Sequence, residues 1–127
     1  MGVEVIRVVL TVLTAIWAVV IPAFWWRWLK TPVVAADHPV GYESHERSFL
    51  LPDSVLTVLL AACALTVGIT GTGWQLGLIA GGMMLFLGII DFGYDLQQGA
   101  GTPDFMIDSV LTGSAIMIIA LAWWGQS

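Results

Sequence analysis

The run "VVLTVLTAIWAVVIPAFWW", residues 8–26, carries no charged side chain from end to end. A helix needs about 20 apolar residues to cross about 30 Å of hydrocarbon, and this run meets that length. It is too long for the apolar core of a signal peptide, and no small-residue cleavage site follows it. The residues that close it, "WWRWLK" at 25–30, have the aromatic and cationic character of a membrane-interface anchor. The run is therefore read as a true span.

Three further segments share its composition. One extends from about residue 49 to 70 with only Asp53 charged. The next, 73–90, is uncharged, and a last one, about 105–124, has only Asp108. Hydrophobic residues make up 58% of the chain and charged ones 10%, against about 25% charged in a soluble domain. The expected fold class is an all-α membrane protein, a four-transmembrane-helix bundle. A single integral membrane domain over residues 1–127 is predicted, with helices at about 4–29, 48–70, 73–98 and 103–125. Its small size and lack of a long soluble part fit a prokaryotic cytoplasmic membrane.

The net charge of −5, with four Lys and Arg in total, argues against nucleic acid as a partner. Cys63 is the only cysteine. It offers no internal disulfide, no Cys-x-x-Cys pair and no multi-cysteine metal site, and reads as a small packing residue.

The connections are unequal. "ITGTG" at 69–73 is a tight turn, whereas residues 30–48 and 91–103 form two longer loops. Side B denotes the face with the two longer loops; side A carries both termini and the tight turn. Trp25, Trp26, Trp28, Tyr42 and Tyr94 are expected at the side B interface, and Trp74, Trp123 and Trp124 at side A. Arg27, Lys30 and Arg47 lie on side B and only Arg7 on side A, so the positive-inside rule puts side B and its loops in the cytoplasm.

"DSVLT" occurs twice, at 53–57 and 108–112, on two segments that run from side B to side A. This reads as a tandem repeat of two helix hairpins about an axis along the membrane normal. A helix from Asp53 to Thr70 covers about 26 Å, and one from Asp108 to Trp124 about 24 Å. Both acids therefore belong near the hydrocarbon boundary. Pro52 and Pro103 suit a first helical turn, with Ser48 as N-cap of the second span. Asp53, Asp104 and Asp108 then sit where the positive end of the helix dipole favours a carboxylate.

Asp91 and Asp95, in "DFGYD", are the opposite case. They share a helical face four residues apart, at a C-terminal end where the dipole disfavours them and where they repel each other. Compensation can come from Arg27, Lys30 and Arg47, from a divalent cation, or from water. Side B thus gathers an acidic cluster of Asp91, Asp95, Asp53 and Asp108, with Asp104 and the loop residues Glu43, His45, Glu46 and Arg47. His38 and His45 both fall in the long loop, which argues against haem held between helices. They read as loop residues and not metal ligands. No cofactor is expected, and the sequence names no metal.

Gly73, Gly77, Gly81 and Gly88 make one smooth helix-packing face that lets a neighbouring helix approach closely. Packing inside the bundle is expected, with Pro22 kinking the first helix near side B. Beyond the lipid bilayer, a larger membrane complex or a homo-oligomer is the expected partner. The functional expectation is a small accessory subunit, or a bundle that binds an apolar ligand or partner. The alternatives are a subunit of an oligomeric cation or small-molecule transporter and a divalent-metal-dependent lipid head-group enzyme. No nucleophile–base pair is visible, so catalysis is the weakest of the three.

Overall fold

The computed structural model describes residues 2–30, 41–98 and 105–127, apart from the side chains of Tyr42 and Glu43. Pro103, Asp104, His38 and the Glu43 side chain, all named above, lie outside it. The described residues form five helices and no strand. They are α1 (Val3–Lys30), α2 (Tyr42–Arg47), α3 (Leu50–Thr66), α4 (Thr72–Gln97) and α5 (Phe105–Gln126). Three of them, α1, α4 and α5, are long and apolar enough to cross a membrane; α3 is a shorter apolar helix.

Packing closes a ring: α1 lies on α3, α3 on α4, α4 on α5, and α5 back on α1. Helix α1 shows why. Ile6, Leu10, Thr14, Trp17, Ile21 and Trp25 recur every three or four residues and are buried. The opposite stripe, Val5, Val8, Val12, Ile16 and Val19, is exposed yet equally apolar. A helix apolar on all sides but buried on one fits a lipid surround. At the centre, Leu10, Leu56, Leu60, Met84 and Ile118 are fully buried, with Cys63 and Thr14 among them.

The glycines of α4 meet their neighbours closely. A methyl group at Gly77 would lie 3.0 Å from Ala122 and 3.3 Å from the Cys63 sulfur; one at Gly81 would lie 2.8 Å from Ile119. At Gly88 it would press on Thr112 and Leu111, and at Gly73 on the backbone of Thr66 and Val67. The glycine face thus seats α5 and the end of α3 within the same chain.

Four details differ from the sequence reading. Residues 42–47, expected as loop, form α2, entered through Gly41 in the left-handed region at φ +85°. Ser48 does not cap the next helix; its hydroxyl donates to the His45 carbonyl and closes α2 instead. Helix α3 starts at Leu50, capped at Phe49 without a side-chain bond, and ends at Thr66, shorter than the span of 48–70. Trp25 and Trp74, expected as interface residues, are buried within the bundle. Trp25 continues the inward stripe of α1, and Trp74 packs its ring onto Gly125. Helix α1 itself runs through Pro22 as one element.

Candidate functional site: an acid-lined cavity

Both "DSVLT" copies make the same local bonds. The Ser54 hydroxyl donates to the Leu50 carbonyl at 2.7 Å, and Ser109 to Phe105 at 2.8 Å. Thr57 donates to the Asp53 carbonyl and Thr112 to the Asp108 carbonyl, each at 2.8 Å. Every hydroxyl is thereby satisfied within its own helix. Each aspartate is left in the first turn of its helix with its carboxyl group facing elsewhere.

Those carboxyl groups face one cavity of about 90 Å³. Its acidic lining is Glu46 from α2, Asp53 from α3, Asp91 from α4 and Asp108 from α5. Its apolar lining is Trp17, Val20, Ile21 and Phe24 from α1, Phe49, and Ile107 and Leu111 from α5. One water needs about 10–15 Å³ of such space, so the cavity admits several waters or a small organic head group. Asp95 does not line the cavity; it is buried one turn beyond Asp91, and its side chain is hydrogen-bonded to that of Asp108.

Two carboxylates have specific anchors. The Trp25 indole N–H donates to Asp53 Oδ2 at 2.8 Å, a bond from the buried face of α1 to the head of α3. His45 Nε2 lies 3.1 Å from Asp91 Oδ1. The imidazole is stacked on Tyr94, with centroids 3.9 Å apart and planes at 12°, and Phe49 meets its edge at 5.1 Å. Burial lowers the His45 pKa below its ordinary value, against the upward pull of the Asp95 charge. A neutral ring is therefore favoured at neutral pH.

The sequence-predicted acids divide accordingly. Asp53, Asp91 and Asp108 share the cavity wall with Glu46, and Asp95 lies behind it. Two of the side B cations lie over aromatic rings: Lys30 is 4.0 Å over Trp26 and Arg47 5.5 Å over Trp28. Trp25 as a donor was missed in the sequence, although its position four residues after Ile21 carries the inward period. The contact of His45 with Asp91 has no sequence signal, because it depends on where α2 lies.

Asp53 also borders a second, outward groove with Pro22, Trp25, Leu50, Ser54 and Thr57. Trp25→Phe removes the indole donor and leaves the Asp53 carboxylate short of a buried bond. A loss of about 1–3 kcal/mol is expected, seen as a lower thermal midpoint in detergent. Asp53→Asn keeps an acceptor for the indole, and a smaller change is expected. Equal midpoints for Trp25→Phe and the parent would show that the bond contributes nothing.

The chain matches no protein-family model, no curated protein and no solved structure.

Proposed function

We propose that this is a four-span membrane protein, α3 being the short fourth span, that binds a ligand with an apolar body and a cationic group. The supporting observation is the segregated cavity lining. One wall is aromatic and aliphatic, from α1 and Phe49; the other presents the carboxyl groups of Glu46, Asp53, Asp91 and Asp108. Aromatic faces and carboxylates are the two surfaces that attract an ammonium group, while the aliphatic wall suits an alkyl or ring body. The recurrence of "DSVLT" at the head of two helices supports descent of the two hairpins from one repeated unit. The excess of cations on side B supports its placement in the cytoplasm.

The groove beside Asp53 favours a second reading, as a subunit of a transporter for such cations. A passage requires a site reachable from two directions, and Asp53 borders both spaces.

The test is a titration of the purified protein with a medium-chain alkyltrimethylammonium below its micelle concentration, followed by tryptophan fluorescence. Trp17 lines the cavity and reports occupancy. Saturable binding is expected, at least about tenfold tighter than that of the alcohol of equal chain length, because a desolvated cation–π contact contributes about 2 kcal/mol and the carboxylates attract the charge further. Equal affinities for the ammonium and the alcohol would remove the cationic part of the proposal. Absence of saturable binding by either would remove the ligand-binding reading itself.

A further inference from the structure

The carboxylates do not all have one neighbourhood. His45, Glu46 and Asp91 each offer a ligand atom, and these atoms lie within 4.8 Å of one another. Asp53 and Asp108 do not belong to this set. We infer that His45, Glu46 and Asp91 form a binding site for one first-row divalent metal ion on the wall of the cavity.

Donor geometry comes first. Bonds of about 2.0–2.2 Å to zinc put neighbouring donors of a tetrahedral site about 3.3–3.6 Å apart. His45 Nε2 and Asp91 Oδ1 are already 3.1 Å apart. The three donors come from two elements, α2 and α4, so closure on an ion needs small rotamer changes and no refolding.

The orientation of the imidazole is the second observation. Tyr94 stacks on one face of the ring and Phe49 meets its edge. This packing limits rotation of the imidazole and keeps Nε2 aimed at Asp91. The Glu46 carboxylate, 7% exposed, lies beside the His45–Asp91 pair, and a divalent ion is attracted by all three groups.

The third observation is room. Glu46 and Asp91 both open onto the cavity of about 90 Å³. Three protein ligands leave an open position, and the adjoining space can hold the water or substrate group that fills it. The donor chemistry selects the metal. An imidazole nitrogen with carboxylates suits zinc, iron or manganese better than magnesium or calcium, which take oxygen ligands only. A divalent cation is one of the three compensations open to Asp91 and Asp95; here the two part, Asp91 beside His45 and Glu46, and Asp95 beside Asp108. The site shares Glu46 and Asp91 with the acidic wall proposed above for the ammonium ligand and differs from it in using His45 and neither Asp53 nor Asp108.

The experiment uses the full chain in detergent, stripped with a chelator and titrated with Zn²⁺ by calorimetry, with Co²⁺ absorption as a spectroscopic reporter. One ion per chain is expected, undisturbed by a large excess of Mg²⁺. Loss of an orienting partner alone weakens metal sites about 10–100-fold, so His45→Ala and Asp91→Asn, which remove ligands, should each exceed about 100-fold. Both should also abolish the Co²⁺ band. Asp53→Asn should leave metal affinity unchanged while altering ammonium binding. Thermal midpoints without metal show whether each variant is folded; for an unfolded His45→Ala, His45→Gln with Glu46→Gln replaces it. Zinc binding equal in parent and folded His45→Ala, or displaced by Mg²⁺, would overturn the assignment, as would no binding by the parent.

Discussion

Gly73→Ala is expected to destabilise the protein by about 3 kcal/mol, the upper end for forcing an extra carbon into a packed site. The added carbon would fall on the Cα and N of Val67 and the carbonyl carbon of Thr66. All three are backbone atoms, so no rotamer change relieves the overlap. Relief requires α4 to move away from the end of α3, across a turn in which the Gly73 N–H already bonds the Thr70 carbonyl at 3.2 Å. That shift also disturbs Trp74, whose ring occupies the space over Gly125. A markedly lower thermal midpoint in detergent is the expected readout. Gly82→Ala is the internal control, because a methyl group there meets nothing within 4 Å. Alanine is the better helix former by about 1 kcal/mol, so Gly82→Ala should be neutral or stabilising. If Gly73→Ala matches the parent, the close approach of α3 and α4 is wrong.

The second large effect concerns binding. Replacing Asp53 and Asp108 together by asparagine should weaken the alkyltrimethylammonium probe by at least about tenfold. The attraction lost with the Asp53 charge contributes about 1.4 kcal/mol or more, which is a tenfold change. Stability should move the other way or stay put. Asparagine preserves the side-chain shape, still accepts from the Trp25 indole and can donate to Asp95, while the Asp53 charge is removed from a cavity wall of several acids. A gain in thermal midpoint beside a loss of affinity is the pattern of residues kept for function at a cost in stability. Unchanged affinity in the double variant would show that the two "DSVLT" acids take no part in the site.

Much of the helical plan was legible because lipid leaves its mark on composition. Uncharged runs reveal α1, α4 and α5 directly, and the loop lengths set their directions. Direction alone brings Asp53, Asp91 and Asp108 to one face, which is why the acidic cluster could be drawn before any coordinates. Glycine spacing likewise marks a close contact, although only the structure says that α5 and the end of α3 fill it. What failed was rotation and short structure. Trp25, Trp26 and Trp28 look alike as interface residues, yet Trp25 falls on the buried stripe and Trp26 is 67% exposed. Helix α2 is six residues long, too short to carry a period, and its place beside α4 is set by tertiary contacts. The pairing of His45 with Asp91 follows from that place and from nothing local.

The brevity of α3 has a physical consequence for the surrounding lipid. Its 17 residues rise about 26 Å, whereas the 28 of α1 beside it rise about 42 Å. In the proposed four-span arrangement, hydrocarbon about 30 Å thick would meet a deficit along one flank and a surplus along the other. Such mismatch is relieved by tilting the long helix and by drawing head groups inward along the short one, at a fraction of a kcal/mol per ångström. The thinned lipid then lies along the flank where the outward groove beside Asp53 runs. Polar head groups come level with that carboxylate there, and bilayers of lower thickness are the better host for the fold.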